Sequence, residues 1–181
     1  MKEERIWKMY INERIERQEQ KDRYVAKRCL ETIVKQGWNL KMEGTQDAYC
    51  PVDLTCTATS RYNDFLFNVE IKERYKNDTM LAQYPYAELK HNKLIRMRRA
   101  TDYDTTRLYY LVLLNNKTCY LFDLDDIDWE NIETFTWHIK KTEFDYDSDA
   151  YEDVLCYKLP YDKAKATCDC SEFYKEYSHN S

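Results

Sequence analysis

Two adjacent segments, residues 51–59 and 64–73, constrain the fold more than any other part of the chain. In the second segment, the apolar side chains of Phe67, Val69 and Ile71 alternate with polar ones, which is the period of a β-strand that buries one face. The first segment alternates in the same way and is rich in threonine. The four residues between the segments fit a turn, so the sequence predicts an antiparallel hairpin.

The polar face of this predicted hairpin brings a candidate site together. Side chains two residues apart on a strand point the same way, so Glu70 and Lys72 emerge side by side, with Asp53 on the facing strand. Two carboxylates a few ångströms apart repel each other unless a cation lies between them. Hard oxygen ligands suit Mg²⁺ or Mn²⁺, and a lysine beside the ion can stabilise charge on a phosphate. The alternative is a charged group on a solvated sheet face.

Pro51, Asp53, Glu70 and Lys72 resemble the motif of the PD-(D/E)XK nuclease superfamily. Val52, which separates the proline from the aspartate, is a one-residue departure from the family pattern. The motif is short, so the order of the predicted elements carries as much weight as these four residues.

That order is also similar to the family over residues 22–126: a helix, three strands, a helix and a strand pair. The resemblance implies an α/β (α+β) restriction-endonuclease-like fold, with a central mixed β-sheet flanked by helices. It further implies a Mg²⁺- or Mn²⁺-dependent nuclease. Asp53, Glu70 and the backbone carbonyl of Ile71 would hold the metal, and Lys72 would position or activate the attacking water.

A long helix is predicted for residues 2–36, with Gly37 as its stop signal. An apolar stripe at helical spacing runs along its second half. In the superfamily an acid on the first helix often joins the active site. The resemblance therefore makes Glu19 and Asp22, which lie on the stripe, candidate catalytic residues, and Glu31 on the opposite face a weaker one. The alternative is that both mark the solvated end of the stripe.

A second, strongly basic helix is predicted for residues 86–100, directly after Pro85. Lysine and arginine contacts with phosphates supply most of the affinity for nucleic acid. The resemblance suggests that this helix also brings Lys90 or Lys93 to the active site, and Lys93 is our catalytic candidate. The candidate nucleic-acid contacts are Arg74, Lys90, Lys93, Arg96 and Arg99. A solvated helix face, or an acid paired with Arg74, is the competing interpretation.

Residues 107–114 and 119–124 are predicted to complete the sheet as a second hairpin. Residues 134–140 and 154–159 predict an added C-terminal hairpin. We expect one nuclease-like domain over residues 1–181, in which residues 1–20 are an N-terminal helical extension and residues 160–181 a polar tail.

Composition agrees with a single intracellular domain. The chain has 181 residues and a net charge of −5, with no apolar run that predicts a signal peptide or a membrane span. Seven cysteines fit a reducing, cytoplasmic location. Cys168 and Cys170 lie too close together, and too far in sequence from other ligands, to predict a zinc site, so the cysteines are interpreted as packing residues.

The sequence therefore predicts a metal-dependent nuclease that hydrolyses phosphodiester bonds, with DNA as the favoured substrate. The alternative is a catalytically inactive protein that keeps the nuclease fold as a binding module, which the acidic C-terminal third suggests. No membrane partner is expected. Whether the protein forms a homodimer is left open, and the candidate dimer contact consists of Ile6, Trp7, Tyr10 and Ile11.

Overall fold

The computed structural model describes residues 2–34, 37–45, 50–102, 104–140 and 151–180, without the side chains of residues 2–12, 139, 140 and 180. The helices are α1 (Lys2–Ile33), α2 (Asp78–Gln83), α3 (His91–Arg99) and α4 (Ser171–Asn180). The strands are β1 (Asn39–Gly44), β2 (Leu54–Thr59), β3 (Asp64–Arg74), β4 (Tyr86–Lys90), β5 (Thr106–Leu114), β6 (Thr118–Asp123), β7 (Thr134–Lys140), β8 (Tyr151–Pro160) and β9 (Ala166–Asp169). Among the described helices, none carries an apolar stretch that could traverse a bilayer.

In the described part of the chain, six strands form the central sheet, in the order β1-β2-β3-β5-β6-β9. The pairing of β3 with β5 is parallel and the other pairings are antiparallel. A smaller antiparallel sheet has the order β4-β8-β7. The predicted fold class, a central mixed sheet flanked by helices, is confirmed, and it is consistent with a restriction-endonuclease-like fold.

Each face of the central sheet is covered by its own apolar cluster. On one face, Val25 and Leu30 of α1 and Tyr174 of α4 pack against alternate residues of β2, β3 and β5. On the other face, Leu94 of α3 and Leu159 of β8 pack against the remaining residues of β5 and β6. Because successive strand residues point to opposite faces, β5 contributes to both clusters.

The predicted hairpin of β2 and β3 is confirmed, with Leu54 opposite Val69 and Thr59 opposite Asp64. Asp53 lies one residue before β2, and its N–H donates to the carbonyl of Val69 at 2.9 Å. The predicted turn between β5 and β6 is present as well. Asn115 and Asn116 there have φ angles of 56° and 54°, the left-handed conformation that a two-residue hairpin turn requires.

The prediction of one helix over residues 86–100 is wrong for its first part. Residues 86–90 form β4, in which Ala87 and Leu89 are buried and alternate with polar side chains. Leu89 lies opposite Tyr157 of β8, so a strand distant in the sequence pairs with this segment. Lys90 is consequently the last strand residue, and the basic helix starts at His91.

The two ends of the chain also differ from expectation. The first helix ends at Ile33, whereas the sequence predicts Gln36, which lies outside the described residues together with residue 35. The predicted C-terminal hairpin is present as β7 and β8, but β8 also pairs with β4. In the segment expected to be a polar tail, β9 extends the central sheet and α4 packs on α1.

Candidate active site

Asp53 and Glu70 lie together where the hairpin of β2 and β3 ends. The N–H of Ile71 donates to Oδ2 of Asp53 at 2.7 Å, which fixes the aspartate beside β3. Glu70 points to the side of the sheet covered by α3, and only 8% of its surface is exposed. Leu54 pairs with Val69, so the preceding residue, Asp53, lies opposite Glu70, and its negative charge acts on the Glu70 carboxyl. The predicted proximity of these two acids is therefore present in the structure.

The surroundings of Glu70 disfavour its charged form. Burial is the largest cause, the negative charge of Asp53 is the second, and together they raise the pKa of Glu70 to about 8. The Lys93 ammonium, 2.7 Å from Oε1 of Glu70, acts in the opposite direction but is outweighed. A pair of crowded, partly desolvated carboxyls is stabilised in its ionised form when a cation lies between them.

Lys93 is the catalytic candidate on the basic helix, and the structure places it in the site. It lies in the first turn of α3, where its ammonium forms an ion pair with Glu70. The amine is therefore held against one of the two predicted metal ligands by the same negative charge that would attract a metal ion.

Lys72 lies two residues after Glu70 on the same face of β3, and its side chain keeps access to solvent. Its pKa is lowered, first by crowding that removes water from the ammonium and then by the positive charges of Arg74, Lys93 and Lys90. These three residues are predicted nucleic-acid contacts. The structure thus gathers them around Lys72, although Lys90 is contributed by the end of β4.

Arg74 is engaged with an acid in the structure. Its Nε lies 3.3 Å from a carboxylate oxygen of Glu88, whose other oxygen lies 2.7 Å from the ammonium of Lys76. Lys76 is buried, and this interaction holds β3 to β4. Arg74 keeps 23% of its side chain exposed, so a contact with phosphate stays a prediction.

Arg96 and Arg99 lie further along α3, and both are exposed. Arg96 also interacts with a neighbouring group, so it is not a free cation in the structure. The last turn of α3 thus presents basic side chains to solvent, beyond the group around Lys72. Their role as nucleic-acid contacts also stays a prediction.

A second group of acids lies on the opposite face of the sheet. Nε2 of Gln18 donates to Asp22 and to Glu73, each at 3.0 Å. Burial raises the pKa of Asp22 to about 7, and the charge of Glu73 adds to this, with a smaller contribution from Asp53. Asp22 is therefore the first-helix acid that approaches the site. Glu19 is exposed on α1, without a described contact to these acids.

Glu73 and Gln18 were not among the predicted site residues. Glu73 directly follows the Glu70–Lys72 pair, but its side chain points to the face covered by α1. Its spacing from Ile71 could have identified it. Glu73 follows Ile71 by two residues on β3, so the two side chains share a face, and that face lies next to the first helix.

Comparisons with known proteins add little to this geometry. No family model matches the chain, and no curated protein matches it. A similar solved structure is Hjc from the archaeal hyperthermophile Archaeoglobus fulgidus, a Holliday junction resolvase. The two chains are 12% identical with a TM-score of 0.41, and the match covers 79% of this chain and 94% of Hjc. The function assigned to this chain therefore rests on its own site.

Proposed function

We propose that this protein is a divalent-metal-dependent nuclease of the PD-(D/E)XK type that hydrolyses phosphodiester bonds in DNA. The observation that carries the proposal is the juxtaposition of Asp53 and Glu70 beside Lys72. Asp53 directly precedes β2 and Glu70 lies on the paired strand β3, so the two acids meet at the end of the hairpin, while the lysine shares the face of Glu70.

The donor set fits Mg²⁺ or Mn²⁺. Asp53 and Glu70 offer carboxylate oxygens, which are the ligands that hard cations prefer. The N–H of Ile71 points to Asp53. A strand residue presents its N–H and its carbonyl to the same neighbouring strand, so we expect the carbonyl of Ile71 on this side as well. A bound divalent ion would neutralise charge on phosphate oxygens and lower the pKa of a bound water.

The chain's own residues supply the remaining chemistry. Lys72 has a lowered pKa, so its amine more readily gives up a proton and can then orient or deprotonate the attacking water. The positive charges of Arg74, Lys90 and Lys93 around it would hold the phosphate backbone. Asp22, on the neighbouring helix, would support the site through its charge and its protonation state.

The first test is digestion of labelled single-stranded, duplex and branched DNA, and of RNA, with Mg²⁺, with Mn²⁺ and with EDTA. We expect cleavage of DNA that depends on the divalent ion, and a loss of at least about 100-fold in the separate variants Asp53→Ala and Lys72→Ala. Glu13→Ala is the control, since this exposed acid of α1 is not among the predicted site residues. Cleavage that persists in both site variants would disprove the assignment.

A second candidate function is a catalytically inactive nuclease fold that binds a partner. The ion pair between Lys93 and Glu70 favours it, because an internal ammonium already occupies the side of Glu70. The C-terminal acids point the same way, although Asp123 and Asp126 are paired with Arg107 in the structure and residues 141–150 lie outside the described part of the chain.

Calorimetric titration with Mn²⁺ separates the two candidates. A nuclease should bind Mn²⁺ through Asp53 and Glu70, and Glu70→Gln should weaken that binding. The inactive alternative predicts no binding at this site in a folded protein, and no difference between the wild-type protein and Glu70→Gln.

A further inference from the structure

Three cysteine thiols meet on the face of the central sheet opposite Lys72. The sulfur atoms of Cys29, Cys119 and Cys168 all lie within 4.8 Å of one another. They come from α1, β6 and β9, so residues from the beginning, middle and end of the chain converge. Cys29 and Cys119 are fully buried, and Cys168 is half-buried.

The strand register explains how the thiols meet. Cys119 and Cys168 are directly opposite each other in the antiparallel pair of β6 and β9, so their side chains share one face at short range. That face is covered by α1, where Cys29 lies in the same apolar cluster. The group is therefore produced by the fold and not by proximity in the sequence.

Cys170 adds a fourth sulfur. It follows Cys168 by two residues, which places both side chains on the same side of the chain. It is fully buried in the same apolar cluster as Cys29 and Cys119, and its N–H donates to the carbonyl of Lys117 at 2.8 Å. Cys170 is not one of the three thiols that lie within 4.8 Å of one another, so its sulfur would have to move closer to complete a set of four.

Cys56 provides the internal comparison. It is a buried cysteine of the same apolar cluster, but it is not one of the mutually close thiols.

The spacing fits a single tetrahedral metal ion such as zinc. Zinc binds thiolates at about 2.3 Å in a tetrahedron, which places neighbouring sulfurs about 3.8 Å apart. Sulfurs that already lie within 4.8 Å of one another need only small movements to reach this geometry. An iron–sulfur cluster, which places several irons and sulfides between its thiolates, would need them further apart.

We propose that Cys29, Cys119, Cys168 and Cys170 form a structural zinc site that ties α1 to β6 and to the β9–α4 segment. Each ligating thiol releases its proton to solvent as its sulfur binds the ion. Half-buried Cys168 provides the route by which the metal enters. The thiolate set differs chemically from the oxygen ligands at Asp53 and Glu70, so zinc and Mg²⁺ would each prefer a different site.

The test is the metal content of the full-length protein, purified under reducing conditions from cells supplied with zinc and measured by plasma mass spectrometry. We expect about one zinc per chain after dialysis. Cys168→Ser is the main variant. Cys168 is half-buried and the other three cysteines are buried, so its substitution is the least expected to unfold the protein. We expect it to lower the zinc content at least tenfold, while Cys56→Ser leaves it unchanged.

A second measurement keeps the proposal testable if the serine variant folds poorly. Replacement of zinc by Co²⁺ in the wild-type protein should give the visible absorption of a tetrahedral cobalt thiolate, and Cys56→Ser should preserve that spectrum. Three results would overturn the proposal. They are a zinc content of the wild-type protein no higher than that of a buffer blank, an undiminished zinc content in Cys168→Ser, and iron with sulfide in place of zinc. None of these measurements depends on DNA cleavage, so the nuclease assignment can fail or succeed independently.

Discussion

Two pairs of acids lie at the end of the central hairpin, and they differ in what holds them together. Glu70 and Asp53 share the site with the ammonium of Lys93, whereas Asp22 and Glu73 are bridged by the neutral amide of Gln18. Burial raises the pKa of an acid in each pair, so crowding alone does not distinguish them.

The two pairs differ in whether a positively charged group lies beside the acids. At the first pair, the ammonium of Lys93 lies 2.7 Å from Oε1 of Glu70, so a positive charge already stands beside this acid when it ionises. At the second pair the amide can donate to both acids without neutralising them, so a proton is the simplest partner. The first pair is therefore suited to holding a metal, and the second to adjusting the charge beside it.

The largest effect that separates the two pairs should appear in cleavage. We expect Glu70→Gln to reduce Mg²⁺-dependent DNA cleavage at least about 100-fold, because it removes a metal ligand. Glu73→Gln should reduce cleavage by about tenfold or less, because its carboxyl acts on the site only through charge. Single-turnover rates on the best substrate from the digestion panel provide the measurement. Equal losses in the two variants would contradict the distinction.

The core of the candidate site could be predicted from the sequence because its information is local. The alternation of β3 fixes the faces of Glu70 and Lys72, and the short connection to the preceding strand fixes Asp53 opposite them. The structure confirms that hairpin. It also confirms the turn at Asn115 and Asn116, which residue type and loop length were sufficient to predict.

The remaining features depend on contacts that are distant in the sequence. Residues 86–90 form a strand because β8 pairs with them, and no helical or strand period in five residues can reveal that partner. The approach of Gln18 to Glu73 requires the packing of α1 on the sheet. The cysteine group likewise depends on the pairing of β6 with β9, which brings Cys168 opposite Cys119.

A smaller effect should appear when the ammonium of the first pair is removed. We expect Lys93→Met to tighten binding of Mn²⁺ about tenfold at pH 9, because a positive charge next to the metal ligands is lost. Calorimetry without DNA measures this directly. Gln18→Met should leave the affinity unchanged, because the amide carries no charge and contacts the other pair. Lys90→Met controls for a general loss of positive charge, and an equally large gain there would contradict a specific role for Lys93.

The smallest effect concerns stability and its dependence on pH. The folded protein holds a proton on Glu70 up to about pH 8 and on Asp22 up to about pH 7, whereas the unfolded chain releases these protons near the ordinary values of 4.5 and 3.8. Between these limits the folded state binds more protons than the unfolded state. The free energy of unfolding should therefore fall as pH rises, by at most about 1.4 kcal/mol per pH unit for each group.

In the interval from pH 7 to pH 8 the contribution of Asp22 fades, because about half of its carboxyl is still protonated at pH 7 and little of it at pH 8. The variant Asp22→Asn removes that contribution and so isolates Glu70. Urea unfolding in this interval should show a falling stability in the wild-type protein and in Asp22→Asn, and a flatter curve in Glu70→Gln. Saturating Mn²⁺ should flatten the wild-type curve as well, because the ion keeps Glu70 ionised in the folded state. A wild-type slope that Mn²⁺ does not change would mean that Glu70 is not a metal ligand, and the contrast between the two acid pairs would then be lost.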